Sequence, residues 1–219
     1  AVISSDVQVA ATAGQANYDL GGADIYLGTS NPESTLSFPL VYRNHTSGKW
    51  NSKIIVQNAS DSAQTVTLRL YSVGETTADA TATASIPAYS YKVFDISEAT
   101  YAAFGPYGSA VVEGTAPLAG VADAIRNPGT GKVNVVESHY RAFGSGQQGR
   151  DFVLPLVYKN YNLWTSGVNI LNVGDIATTV TITYTNANPN VTGGPWVFTK
   201  SLSGNAMDSF YTPNHTTIP

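Results

Sequence analysis

The residues able to do chemistry are few and scattered. Three histidines, His45, His139 and His215, stand apart, without the i, i+4 helical spacing that lets two imidazoles share a metal. Cysteine is absent, which excludes disulfides, thiolate nucleophiles and Cys-ligated zinc. No G-x-S-x-G or P-loop motif occurs, and Gly144-Ser145-Gly146 reads as a linker rather than as part of a dinucleotide-binding turn, which needs a strand before it and a helix after it. Glycoside cleavage needs two carboxylates facing each other across a cleft. Glu113 and Glu137 fall on predicted strands, yet nothing in the pattern pairs them. Asp61 and Asp175 sit in turns, where Asp commonly bonds its own backbone, and neither has the oxygen-rich neighbourhood calcium requires. The reading is a non-enzyme with no catalytic residue, no metal site and no cofactor.

Other positions could carry sugar. Asn44, Asn58, Asn190 and Asn214 each head an Asn-x-Ser/Thr sequon in a predicted turn or near the C terminus, so all four are candidate glycosylation sites. Trp50 and Trp164 read as buried aromatic anchors; a sugar-stacking platform with Tyr158 and Tyr161 is the alternative. The segment from Tyr101 to Tyr107 is expected to pack its aromatics beneath its own loop.

The elements that must position these residues are strands. In 219 residues, charged side chains make up only 12%, about half the usual quarter. Polarity comes instead from 24 Thr, 20 Ser and 16 Asn, types that favour strands and turns. Net charge is −4 with no Lys/Arg block, so nucleic acid is not an expected partner. No apolar run is long enough for a membrane span. The start at Ala1 reads as a signal peptide removed, giving an expected extracellular or cell-surface location.

An internal repeat organises the chain. Phe38-Pro39-Leu40-Val41-Tyr42-Arg43-Asn44 returns as Leu154-Pro155-Leu156-Val157-Tyr158-Lys159-Asn160. Trp50 then answers Trp164, Ser52 answers Ser166, Asn58 answers Asn172, and Asp61 answers Asp175. Thr65-Val66-Thr67-Leu68 matches Thr179-Val180-Thr181-Ile182. In the first copy, strands are predicted near 38–43, 53–58, 64–72, 80–86, 90–96, 109–114, 118–126 and 132–143, with turn residues between them. Val66, Leu68 and Leu70 alternate with Thr65, Thr67 and Arg69, the period-2 mark of a strand with one wet face. Turn signals every 8–12 residues or so point to a Greek-key sandwich.

The two copies are unequal. Beyond Phe94 the first continues for several strands, whereas the second reaches the equivalent Phe210 and stops at Pro219. Residues 1–36 belong to neither copy. Within them Ala1, Ile3, Ser5, Val7, Val9, Ala11 and Ala13 are apolar or small. Ser4, Asp6, Gln8 and Thr12 between them are polar, with Val2 and Ala10 as exceptions, so the first thirteen residues read as one strand. Val7-Gln8-Val9-Ala10 also mimics Val133-Asn134-Val135-Val136, in the last predicted strand of the complete copy.

The fold expected is therefore all-β: an N-terminal extension over 1–36, a first sandwich over 37–146, and a second, strand-deficient sandwich over 147–219. The Pro-Leu-Val-Tyr-(Arg/Lys)-Asn block, its Trp-x-Ser follower and the Thr-Val-Thr strand resemble the tandem immunoglobulin-like modules of large secreted prokaryotic surface proteins, over about residues 37–213. The resemblance implies Greek-key sandwiches serving in stalks, coats or filaments, without active sites. The orphan strand and the deficient sandwich are also similar in architecture to donor-strand-complemented pilins. That implies a filament subunit whose Ile3, Val7, Val9 and Ala11 enter an identical neighbour, in an open head-to-tail polymer that could carry covalent glycans. A monomeric adhesin or carbohydrate-binding module is the alternative.

Overall fold

A computed structural model describes residues 3, 5–17, 22–48, 50–126, 136–186 and 192–218. Among these the chain is all-β: every sheet is antiparallel, and the one α-helical segment is the single turn His45–Gly48. No helix among the described residues is long and apolar enough to cross a membrane.

The N-terminal region forms a hairpin of β1 (Thr12–Asn17) and β2 (Gly22–Leu27). The first copy then supplies β3 (Glu33–Tyr42), β4 (Trp50–Asn58), β5 (Gln64–Ser72), β6 (Ala80–Ile86), β7 (Tyr91–Asp95), β8 (Tyr107–Arg126) and β9 (Val136–Arg141). Alternation decides which face each strand buries. Val66, Leu68 and Leu70 on β5 turn inward to meet Ile54 and Val56 of β4, Phe38 and Val41 of β3, and Phe94 of β7 in one core. Tyr101 and Phe104 are buried in the same core, as the loop reading expected.

One strand joins the layers. The first half of β8 pairs with β3 on one side and β5 on the other, from Tyr107 to Glu113. Its second half, Leu118 to Arg126, pairs with β4, and from Val121 onward also with β9. The two strands predicted over 109–114 and 118–126 are thus one strand of 20 residues. Its middle is pinned by the Gln64 amide: Oε1 accepts from Thr115 N at 3.1 Å and Ala116 N at 3.0 Å, while Nε2 donates to Asn58 Oδ1 at 2.8 Å. At Gly114 a Cβ would stand 2.4 Å from Gln64 Oε1, so the strand passes this close only without a side chain. The strand predicted over 132–143 begins at Val136; the Val133–Val135 stretch lies outside the described residues.

The second copy supplies β10 (Gly167–Leu171), β11 (Thr178–Tyr184), β12 (Trp196–Leu202) and β13 (Met207–Tyr211). These pair β10 with β13 and β11 with β12, reproducing the β4–β7 and β5–β6 pairings of the first copy. Fixed contacts repeat as well. Tyr42 N donates to Ser52 Oγ at 3.0 Å and Tyr158 N to Ser166 Oγ at 2.9 Å. Asn44 and Asn160 take positive φ of 48° and 53°. Such detail follows from one sequence pattern folding the same way twice.

Two further expectations change. The first thirteen residues are not one strand: β1 begins at Thr12, and no strand covers the described residues before it. Trp164 is not a buried anchor; it is 66% exposed, while Trp50 is half-buried against the Tyr42 ring. Among the described residues no strand pairs with the loop carrying Trp164, and most of its indole is left open to solvent.

Candidate subunit-interface site

In the first copy β8 fills the space between two ribbons, bonding β5 along one half and β4 along the other. In the second copy the corresponding ribbons are β10–β13 and β11–β12, and among the described residues no strand bonds the remaining edge of β10 or of β11. The inward residues register the difference. Ile54, Val56, Val66, Leu68 and Leu70 are fully buried, whereas their counterparts Val168, Ile170, Val180, Ile182 and Tyr184 are only half-buried. Unpaired edges flanked by half-covered apolar side chains are what sheets pair through.

What packing the second copy has is aromatic. His215 stacks on Phe198 at 3.9 Å between ring centroids and meets Tyr184 and Phe210 edge-on. Burial, with Lys200 and Lys159 nearby, pushes the His215 imidazole below its ordinary value. It is a packing residue here.

Four residues were expected to form a donor strand. Ile3, Val7 and Val9 lie in irregular, solvent-exposed chain, Val7 at 68% and Val9 at 60% exposure. Ala11 is half-buried and its carbonyl accepts from Gly28 N at 2.9 Å, where the hairpin begins. No strand pairing engages the described residues before Thr12.

The hairpin itself is held to the first copy by a cluster the sequence did not single out. His139 N donates to Asp24 Oδ2 at 2.5 Å, and Arg141 donates to Gly28 O at 2.9 Å. The buried His139 ring lies 3.3 Å from Asp24 Oδ2 through Nδ1 and 3.3 Å from Asp123 Oδ1 through Nε2. Neither ring contact is aligned as a hydrogen bond, so these are close contacts rather than a bonded relay. Burial raises the Asp123 carboxyl; His139 opposes that rise, Glu137 adds to it, Lys53 opposes it and Asp24 adds to it. Among the described residues no group of His, Asp and Glu is arranged to hold a metal ion.

Asn44 and Asn214 are exposed, Asn190 lies outside the described residues, and Asn58 is fully buried. The Asn58 Nδ2 already donates to Ser62 O at 2.7 Å and to Ile86 O and Pro87 O at 3.1 Å each. Attaching a glycan there would break the turn, so Asn58 is corrected from candidate acceptor to structural clasp. Glu113 pairs with Arg69 beside the first half of β8, while Glu137 lies opposite Ile125 on the second half; they are not brought together. A cleft of about 290 Å³ between the copies is lined by Glu33 and Glu113, each already engaged: Glu33 by Ser145 and Gly146, Glu113 by Arg69.

No family model matches the chain, and no curated protein matches it. One solved structure, the crystal structure of Thermotoga maritima 1070, is similar at 12% identity over 52% of this chain and 95% of that chain, with a TM-score of 0.40.

Proposed function

We propose that this protein is a non-catalytic structural subunit of an extracellular filament, polymerising head to tail by donor-strand complementation between immunoglobulin-like Greek-key sandwiches. The units are an extension over 1–36, a first sandwich over 37–146 and a second over 147–219. One observation supports the reading: the second copy repeats the strand pairs of the first but, among the described residues, has no strand in the place of β8. Residues 3–11 of an identical subunit supply it, with backbone bonds along the edges of β10 and β11 giving affinity. Ile3, Val7 and Val9 would bury in the gap, worth on the order of 5–9 kcal/mol before ordering costs. Donor and acceptor surfaces differ, so the contact is heterologous and repetition gives an open fibre. Glycans on the exposed Asn44 and Asn214 would coat it.

Electron microscopy of the purified chain tests this directly. Fibres are expected, and either deletion of residues 1–11 or the double change Val7→Asp, Val9→Asp should leave dispersed particles with the first sandwich folded. Fibres of normal length from those variants overturn the reading.

A second reading has its own observation. Tyr158 and Tyr161 stack at 5.7 Å beside the exposed Trp164, a platform on which a sugar ring could lie. Loss of glycan retention on Trp164→Ala, with fibres absent throughout, would favour a monomeric carbohydrate-binding module.

A further inference from the structure

We infer that residues 152–157 are a latent strand, which folds only when a strand from a second copy of this chain enters the second sandwich. This rests on the donor-strand reading and extends it to a second acceptor element.

The chain contains its own control. Pro39-Leu40-Val41-Tyr42 and Pro155-Leu156-Val157-Tyr158 are the same four residues in the same order. In the first copy they end β3, which bonds β8 through Leu36, Ser37 and Phe38 opposite Val112, Val111 and Ala110. Phe38 is 0% exposed there, while its counterpart Leu154 is 54% exposed and no strand forms over 152–157. Sequence competence is therefore not what differs. The downstream anchor does not differ either, since the Tyr42–Ser52 and Tyr158–Ser166 bonds match. The difference lies in what runs alongside: β3 has β8, and among the described residues no strand pairs with 152–157.

A single edge strand with no partner leaves its backbone groups unpaired, so it gains nothing by becoming extended and ordered. A partner changes both terms. Backbone bonds form along its length, and Phe152, Leu154 and Val157 gain a layer to pack into, as Leu36, Phe38 and Val41 have. The incoming strand has to do what β8 does: touch β11, β10 and residues 152–157 together. Segment 3–17 suits this role because Val7, Val9, Ala11 and Ala13 alternate as Ala110 and Val112, and Ala122 and Ala124, do on β8. Residues 12–17, however, are paired in the hairpin of the same chain, so the whole segment is available only from a copy whose hairpin opens. The exposed stretch before Thr12 enters without that step.

The test uses the full-length chain carrying Val7→Asp and Val9→Asp, which cannot donate to itself or its neighbours. Two synthetic peptides are added in turn, one of residues 1–17 and one of residues 107–126. Hydrogen exchange is followed at 152–158 and along β10 and β11, with Trp164 emission as a second signal. The expected result is that the 1–17 peptide slows exchange at 152–158 by about tenfold or more and shifts Trp164 emission to the blue. If only the β8 peptide does so, the latent strand stands and the assignment of the donor to the N terminus falls. If the 1–17 peptide protects β10 and β11 but 152–158 exchanges as before, the latent strand is wrong and the donor-strand reading survives. If neither peptide changes exchange anywhere, both are overturned.

Discussion

The side-chain amides of Asn58 and Asn172 make the same clasp in the two copies. Asn58 Nδ2 reaches Ser62 O, Ile86 O and Pro87 O; Asn172 Nδ2 reaches Ile176 O at 2.8 Å, Leu202 O at 3.3 Å and Ser203 O at 3.0 Å. The amide oxygens also match, accepting from Ser60 N and Gly174 N. Each clasp ties the end of one strand to the turn that follows and to the end of the strand two further on. Only an amide can donate twice and accept at once here.

Asn58→Ala should therefore cost the first copy about 3 kcal/mol, because it strands buried and part-buried carbonyls together with the Gln64 amide. Asn172→Ala should cost the second copy about 1 kcal/mol, since the Ile176 and Ser203 carbonyls it bonds belong to exposed residues and can turn to water. Denaturant unfolding of the two variants measures this, and equal losses would refute it. Mass spectrometry of the native protein should find no glycan on Asn58.

How far these features were legible varies by residue. The Asn58–Asn172 coincidence was visible as a repeat, but their clasp was not, because its carbonyls belong to strands distant in sequence. Local alternation located β4, β5, β6 and β7 closely. It split β8 at Gly114, since a glycine followed by Pro117 looks like a break, and only the long-range Gln64 amide shows why the strand continues. The Trp50–Trp164 equivalence misled for the opposite reason: matching positions of one repeat were given different neighbours. No local signal marked His139, whose two carboxylates come from β2 and β8.

The two tryptophans should report their neighbours. Trp164→Ala in the monomeric chain should change stability by no more than about 0.5 kcal/mol, as for exposed positions generally. Trp50→Ala should cost more, though less than the roughly 3–5 kcal/mol of a fully buried aromatic. Acrylamide should quench Trp164 well before Trp50. Equal quenching, or a large loss at Trp164, would contradict the exposure found here.

Asp24 should act as the latch of the N-terminal hairpin. Asp24→Ala removes the acceptor of His139 N, and hydrogen exchange over 12–27 should rise while β4 and β5 stay protected. Asp123 adds a pH dependence. Its carboxyl is raised by burial, so the folded state holds that proton more tightly than the unfolded chain does. Stability from this group is present below the unfolded value near 3.9 and is lost as pH rises through the folded one. Asp123→Asn should flatten that part of the stability–pH curve, and an unchanged curve would sink the assignment.

Glu33 should hold the junction between the copies, with the opposite sign. Its carboxylate accepts from Ser145 Oγ at 2.5 Å, Ser145 N at 2.7 Å, Gly146 N at 3.1 Å and Asn31 Nδ2 at 3.2 Å. The Ser145 hydroxyl, then the backbone N–H groups of Gly146 and Ser145, hold Glu33 below the usual carboxylate value against a small opposing effect of burial. Gly144 fits beside it because a Cβ there would stand 2.5 Å from Glu33 Oε1. The glycine-rich linker is consequently tied down over 144–147, and the exposed, irregular chain downstream, from Gln148 to Leu154, is where a protease should cut. Trypsin is expected to cleave after Arg150 first. A folded pKa below the unfolded one means the clamp is intact above the unfolded carboxyl value, near 4.3, and is lost as pH falls through the folded value. Exchange at 145–147, corrected for its intrinsic pH dependence, should be slow at pH 6 and fast once Glu33 is protonated. Glu33→Gln should lose most of this protection at pH 6, since a neutral amide oxygen accepts more weakly than a carboxylate and its NH2 group faces the N–H donors. If 145–147 exchanges at the same corrected rate in the variant, or across the acid range in the native chain, Glu33 is not what fixes the junction.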